Sequence, residues 1–150
     1  MANRVSKSNQ LIEIGKSRED AFHDECALMG IWNEREASNL AYLGLYAQQH
    51  RGQEGAGVAS VDQKHSRLMI HRGLGLVSEV FEDFDFAQLP GNCAVGHTRY
   101  STAGANRLAN VQPFQAEIAG GRVALAHNGN LINADKLRKE LIDKGSIFSS

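Results

Sequence analysis

The sequence has little of several features that would place it in a special class of protein. It contains only two cysteines, Cys26 and Cys93, which are too few for a disulfide framework and favour a reducing, cytoplasmic setting. No apolar run approaches the roughly 18 residues that cross a bilayer. The N-terminal stretch also lacks the continuous apolar segment of a secretory signal. We therefore expect neither a membrane-spanning nor a secreted protein.

An excess of charge of one sign is missing too. Sixteen basic and 17 acidic residues give a net charge of -1, which does not favour binding to nucleic acid or to an acidic membrane face. The sequence contains neither the GxGxxG fingerprint of dinucleotide-binding proteins nor a GxxxxGK[ST] phosphate loop. It does contain 42% apolar residues over 150 positions, enough for one globular domain with a core.

The two ends of the chain differ from its middle. Residues 1–20 are polar with few apolar side chains, which predicts a leader that extends to residue 25. The chain stops at KGSIFSS, directly after a helix-like segment. We therefore expect residues 26–150 to form a domain that is incomplete at its C-terminus.

The apolar pattern predicts an α+β fold. Strands are expected at 27–32, 56–61, 67–71, 93–100 and 122–128, and helices at 36–52 and 134–145. The stretch 74–91 reads as a short helix with a loop, and 101–113 as a polar loop. Several β segments with a helix near each end favour separate layers over alternating βαβ units.

Details of the two helices can also be predicted. In the first helix an apolar face at helical spacing is formed by Leu40, Leu43, Gly44 and Ala47. In the second, the apolar residues that share a face are Ala134, Leu137, Leu141 and Ile142. Asn133 is expected to cap the second helix and Gly145 to end it.

Cys26 begins a short apolar run, and two interpretations of it stay open. A cysteine at the start of a strand is most often a small buried hydrophobe. It could instead be a nucleophile, but a thiol with a pKa of ~8.5 needs a base. A free α-amino group, with a pKa of about 7.7–8.0, is such a base. An internal amide nitrogen is not a base, so the nucleophile interpretation requires cleavage between Glu25 and Cys26.

Two other stretches carry hydrogen-bond donors. The sequence HNGN at 127–130 is typical of a tight turn. Alternatively, the side-chain amide of Asn128 and the backbone N–H of Gly129 could form an oxyanion hole. In GHTRYSTAG at 96–104, Arg99 ends an apolar strand. Arg99 could be an exposed or ion-paired residue of the surface. Alternatively, its planar guanidinium could bind an α-carboxylate.

A structural zinc site is the competing interpretation from another class of function. His23-x-x-Cys26 and Cys93-x-x-x-His97 provide two cysteines and two histidines, which would make this a non-catalytic domain. The 66 residues between the cysteines are long for such a small site.

Five stretches, taken in order, resemble the class II (N-terminal nucleophile) glutamine amidotransferases. They are DECALMGIW, YAQQHRGQEGAGV, GHTRYSTAG, NVQPF and ALAHNGNLINADKLRKEL. Within the family, QHRGQEGAG points to the branch that transfers ammonia to phosphoribosylpyrophosphate. The alternative is a sister enzyme such as glucosamine-6-phosphate synthase, which has a different sequence there. Ala27 is a departure, because the family usually has glycine at that position.

The resemblance implies a fold and a set of roles. The fold is a four-layer α/β/β/α sandwich of antiparallel sheets. Cys26 would be the nucleophile, exposed by removal of the leader, with Arg99 on the α-carboxylate of glutamine. Asn128 and Gly129 would form the oxyanion hole. The loop from Tyr100 to about Asn110 would close over glutamine, with Thr102 near the substrate.

The resemblance also implies what lies outside 26–150. The aspartate that holds the substrate α-amino group should fall just past Ser150, and a phosphoribosyltransferase domain should follow. Mg²⁺, and a [4Fe–4S] cluster where one is present, would belong to that part, so no cofactor or metal is expected in this domain. The implied partners are L-glutamine, phosphoribosylpyrophosphate and, at full length, further copies of the chain. The implied product is 5-phosphoribosylamine, made in the first committed step of de novo purine (IMP) biosynthesis.

Overall fold

The computed structural model describes residues 26–100, 107–129 and 131–148. Their strands and helices are β1 (Ala27–Trp32), α1 (Ala37–Ala47), β2 (Gly55–Asp62), β3 (Arg67–Leu74), α2 (Val77–Val80), β4 (Cys93–Arg99), β5 (Phe114–Ile118), β6 (Gly121–Leu125) and α3 (Ala134–Asp143). The expected leader, residues 1–25, lies outside the described residues. Of the helices in the described ranges, none is long and apolar enough to cross a membrane.

Four strands form one antiparallel sheet in the order β1-β4-β2-β3. β4 lies between β1 and β2, and Thr98 of β4 is in register with both Ala27 and Ala56. A second sheet consists of the antiparallel hairpin β5–β6, and β6 contacts β3. The α+β class predicted from the sequence, with antiparallel pairing, is confirmed.

α1 covers one face of the four-stranded sheet with three small residues and one leucine. The buried positions of the helix are Ala37, Ser38, Ala41 and Leu45. The predicted apolar face was wrong, because the Leu40 and Leu43 residues are 39% and 50% exposed. Apart from Leu45, the buried positions are small residues, which let the helix approach the sheet closely. At Gly44 an added Cβ would overlap the Met29 side chain.

The first helix also ends earlier than predicted. It stops at Ala47 and is followed by a 3-10 turn, Gln49–Arg51. The Gln49 side chain holds this turn, since its Nε2 donates to the Gly52 carbonyl at 2.6 Å and its Oε1 accepts from the Val77 amide at 2.6 Å. Helical spacing could not reveal these tertiary contacts.

Other elements also differ from the sequence prediction, and β3 extends to Leu74 instead of ending at residue 71. β5 was not predicted, because the apolar pattern assigns no element to residues 114–121. β6 ends at Leu125 rather than continuing to residue 128, so 126–133 connects a strand to a helix.

The ends of α3 confirm one of two predicted capping roles. Asn133 occupies the N-cap position but makes no side-chain capping hydrogen bond. Gly145, with φ of +91°, ends the helix as predicted. Its N–H donates to the Ile142 carbonyl and the Ser146 N–H to the Leu141 carbonyl, the double hydrogen bond of a Schellman end.

Candidate active site

The site forms where the start of β1 meets the end of β4. Because these strands are antiparallel and Ala27 pairs with Thr98, Cys26 lies beside the last residues of β4. The Ala27 amide donates to Oγ1 of Thr98 at 2.9 Å, which fixes the start of β1. The backbone N–H of Tyr100 donates to Sγ of Cys26 at 3.4 Å, so an amide dipole points at the sulfur.

The carbonyl group of Cys26 is held by two side chains. Nε of Arg51 donates to it at 3.2 Å, and Nδ2 of Asn128 at 3.1 Å. Cys26 has a φ of +27°, a region that residues with a Cβ rarely occupy. The nucleophile candidate is therefore fixed on both its backbone and its sulfur.

Five of the six predicted site residues line a single cavity of about 740 Å³. They are Cys26, Arg99, Tyr100, Asn128 and Gly129. Its size falls within the usual range for small-molecule sites, about 300–1,000 Å³. The sixth, Thr102, lies outside the described residues. The apolar face predicted for α3 contributes to the wall through Ala134, Leu137 and Leu141.

Arg99 sits at the end of β4 with its side chain only 11% exposed. Nη1 donates to the Asn110 carbonyl at 3.1 Å, and Nε lies 3.7 Å from Oε2 of Glu54. These contacts hold a planar cation in the wall of the cavity. An arginine so held can present parallel N–H groups to a carboxylate.

The turn at 127–129 places two donors at the cavity. Gly129 has a φ of +125°, a conformation that favours glycine, and an added Cβ would meet no atom within 4 Å. Because an amide nitrogen carries two hydrogens, the bond to Cys26 does not by itself occupy Nδ2 of Asn128. The turn and donor interpretations of HNGN are therefore compatible. The stretch links a strand to a helix and is not a hairpin between two strands.

His97 is a buried histidine in the wall of the same cavity. It is 1% exposed, and neither ring nitrogen has hydrogen-bond geometry to a partner among the described residues. Burial, together with the charges of His127 and Arg99, lowers the pKa of His97 to about 4, although the backbone of His127 opposes this shift. The imidazole is therefore neutral at physiological pH.

Sequence reasoning missed three residues that shape the site. Arg51 lies in QHRGQEGAG, which was used only to indicate a branch of the family. Gln112 lies in NVQPF, which was noticed without a role. His97 entered only as a zinc ligand. Arg51 and Gln112 act through contacts distant in sequence, whereas His97 is distinguished by its burial. The available signal for all three was their place inside motifs of the family pattern.

The zinc interpretation is wrong on geometry. Cys93 pairs with Trp32 at one end of β1, whereas Cys26 precedes the other end. At ~3.4 Å per residue this puts the two cysteines about 20 Å apart, too far for one metal ion. Within the ranges that the structure describes, no group of three or more His, Cys, Asp or Glu side chains could hold a metal.

Comparison with known proteins gives a consistent picture. Residues 26–144 match the family model described as "Glutamine amidotransferases class-II". Amidophosphoribosyltransferase 2, chloroplastic, of Arabidopsis thaliana is 54% identical over 127 residues, which cover 85% of this chain and 22% of that protein. The amidophosphoribosyltransferase of Bacillus subtilis is 45% identical over 130 residues, covering 85% and 27%. The chain thus spans about a quarter of the length of these curated relatives.

Two solved structures are similar over 82% of this chain and 26% of their own. One, described as the structure of the allosteric regulatory enzyme of purine biosynthesis, has a TM-score of 0.75 and 45% identity. The other is the glutamine phosphoribosylpyrophosphate amidotransferase from B. subtilis complexed with ADP and GMP, with a TM-score of 0.72 and 44% identity. At this identity the likeness confirms the expected sandwich fold of antiparallel sheets.

Proposed function

This chain belongs to the class II glutamine amidotransferases, and from that membership we propose that it is the glutamine-hydrolysing domain of an amidophosphoribosyltransferase. One observation carries the proposal: a single cavity brings together the thiol of Cys26, the guanidinium of Arg99 and the amide of Asn128. These are the groups that covalent hydrolysis of an amino-acid side-chain amide needs. Domain bounds of 1–25 for a leader and 26–150 for the catalytic domain are part of the proposal.

Glutamine binding is assigned to the Arg99 end of the cavity. The guanidinium would take the α-carboxylate through two parallel hydrogen bonds, and the Asn110 carbonyl and Glu54 hold it in place. Tyr100 and Thr102 belong to the segment proposed to close over the bound substrate. With the α-carboxylate fixed there, the side-chain amide can reach toward Cys26.

The chemical step is assigned to Cys26. Its free α-amino group takes the thiol proton, and the thiolate attacks Cδ of glutamine. The carbonyl π electrons move onto oxygen, and that oxyanion is stabilised by Nδ2 of Asn128 and the N–H of Gly129. Collapse breaks the C–N bond and expels ammonia, which takes its proton from the α-ammonium group. Water then hydrolyses the thioester, which releases glutamate and restores the thiol.

Removal of residues 1–25 is required by this mechanism. Only cleavage before Cys26 converts its amide nitrogen into an amine that can act as a base. The φ of +27° at Cys26 supports the idea. Removing the preceding carbonyl relieves the steric conflict with Cβ that makes such a φ unfavourable.

The names of the relatives support a proposal for the fate of the ammonia. The named relatives are amidophosphoribosyltransferases, so we propose phosphoribosylpyrophosphate as the acceptor and 5-phosphoribosylamine as the product, in purine biosynthesis. Glucosamine-6-phosphate synthase activity is the weaker alternative. We propose that the acceptor site, Mg²⁺ and any iron–sulfur cluster belong to a further domain beyond these residues, and that the protein self-associates. The described residues offer no group fit for the metal. A cytoplasmic location is likewise a proposal, and chloroplast location is stated only of the plant relatives.

Substitution of the two cysteines tests the proposal. In the intact protein that contains this domain, Cys26→Ser should abolish glutamine-dependent synthesis and spare ammonia-dependent synthesis, because free ammonia bypasses the thiol. Cys93→Ser is the matched control, since Cys93 is a buried residue at the far end of β4. Equal loss of glutamine-dependent activity in both folded variants would refute the role of Cys26.

A further inference from the structure

Gln112 connects the cavity wall to the turn that carries the two candidate oxyanion donors. Gln112 is 7% exposed, and its side-chain oxygen Oε1 accepts a hydrogen bond from the backbone N–H of His127 at 2.7 Å. His127 directly precedes Asn128 and Gly129. Gln112 also lines the same cavity as Cys26.

The backbone on either side of Gln112 is anchored to the four-stranded sheet. Nη1 of Arg72, on β3, donates to the Val111 carbonyl at 2.8 Å and lies 3.3 Å from the Pro113 carbonyl. At Gly57, on β2, an added Cβ would overlap the Gln112 carbonyl oxygen, so this backbone lies directly against the strand. Gln112 therefore extends from a fixed support and not from a free loop.

We propose that Gln112 is a positioning residue for the oxyanion hole. By holding the His127 amide, its side-chain carbonyl would fix the start of the turn and with it the directions of the Asn128 and Gly129 donors. This inference rests on the proposed function. Donors of this kind stabilise a transition state only when they are fixed in advance, and a displacement of ~1 Å can cost about 10²-fold in rate.

The segment 110–112 supports the groups proposed to contact both the α-carboxylate and the side-chain amide of glutamine. The backbone carbonyl of Asn110 accepts from Arg99, whereas the side chain of Gln112 supports the turn at His127. A change confined to the Gln112 side chain removes the second support and leaves the first carbonyl in place. It should therefore affect the chemical step and spare glutamine binding.

Two substitutions at Gln112 separate its hydrogen bond from its volume. Gln112→Met is similar in size but offers no comparable acceptor. It should lower the glutaminase kcat of the intact protein by about 10- to 100-fold, with glutamine KM changed by less than about twofold. Gln112→Glu keeps an acceptor oxygen, and its kcat should lie closer to the wild type than to the Met variant.

A transition-state probe distinguishes positioning from general damage. The aldehyde analogue of glutamine adds to the Cys26 thiol and gives a tetrahedral hemithioacetal whose oxygen occupies the oxyanion position. Its Kd should rise in Gln112→Met by about the factor lost from kcat. The control Ser38→Ala loses a buried hydrogen bond to the Leu89 carbonyl away from the cavity, and should leave kcat and this Kd unchanged.

Hydrogen exchange on the wild-type protein tests the hydrogen bond even if the Met variant does not fold. The His127 amide should exchange slowly, although His127 itself is exposed. Fast exchange of that amide overturns the proposal, as does a folded Gln112→Met protein with unchanged kcat and aldehyde affinity. A kcat loss in Ser38→Ala equal to that in Gln112→Met also overturns it. If Asn128→Ala leaves kcat intact, the oxyanion assignment itself fails. If Asn128→Ala lowers kcat but Gln112→Met does not, only the positioning role of Gln112 fails.

Discussion

Nδ2 of Asn128 lies 3.1 Å from the carbonyl oxygen of Cys26, 102 positions earlier in the chain. The residue proposed to stabilise the oxyanion is thus hydrogen-bonded to the residue whose thiolate is proposed to attack the substrate. A donor held in this way needs little reorganisation when negative charge develops on the substrate.

Replacing Asn128 by alanine should mainly slow the chemical step. The lost donor acts on the oxyanion, which exists only after attack. We expect glutaminase kcat to fall by about 10²–10³, or roughly 2.7–4 kcal/mol, with little change in glutamine KM. Steady-state kinetics on the intact protein measures both constants. A change in KM alone would make HNGN a binding turn and remove the oxyanion role.

Replacing Arg99 by lysine should have the opposite signature. The charge remains, but the planar fork that pairs with both carboxylate oxygens is lost. Because the α-carboxylate is bound equally in the ground state and the transition state, glutamine KM should rise while kcat stays near the wild-type value. The same kinetic experiment reads this out. If kcat falls and KM does not move, Arg99 serves the reaction centre and not the carboxylate.

The leader should be absent from the active protein. Intact-mass analysis of purified, active full-length protein is expected to show a chain that begins at Cys26, because only then is an α-amine present. An active protein that retains residues 1–25 would contradict the proposed mechanism. Glu25 is the residue whose carbonyl is released by this cleavage, so the new N-terminus also identifies the bond that is cut.

His97 should make the domain sensitive to acid. Its pKa is lowered to about 4 in the folded protein, by burial first and then by the charges of His127 and Arg99, against about 6.5 when unfolded. The unfolded chain therefore binds a proton first as pH falls. Neutral His97 contributes fully to the free energy of unfolding above pH ~6.5. As the pH falls toward ~4 this contribution is lost progressively, up to about 3 kcal/mol.

Denaturant unfolding between pH 7 and pH 4.5 measures this effect. His97→Gln should flatten the dependence of unfolding free energy on pH, because glutamine does not titrate. His50→Gln, at an exposed position in the turn after α1, is the control and should leave the slope as it is. An unchanged slope in His97→Gln would show that the acid sensitivity has another source.

Much of the fold could be predicted because neighbouring residues decide it. β1 was predicted at its observed bounds, since ALMGIW is a short apolar run with clear ends. Gly145 ends α3 because a residue with positive φ is needed there. The predictions failed where the local sequence allows more than one arrangement and tertiary packing determines which one forms. The face of α1 that meets the sheet is that of Ala37, Ala41 and Leu45, whereas Leu40 and Leu43 remain partly exposed.

The sequence by itself determined the kinds of chemistry available. A thiol at Cys26, a guanidinium at Arg99 and an Asn-Gly pair are readable as letters, and their order is that of the family. Whether they meet was decided by the antiparallel pairing of β1 with β4 and by the turn before α3. The support from Gln112 also exists only in three dimensions. The physical reason is that a hydrogen bond needs its two atoms about 3 Å apart, and only the folded chain sets that distance between residues far apart in sequence.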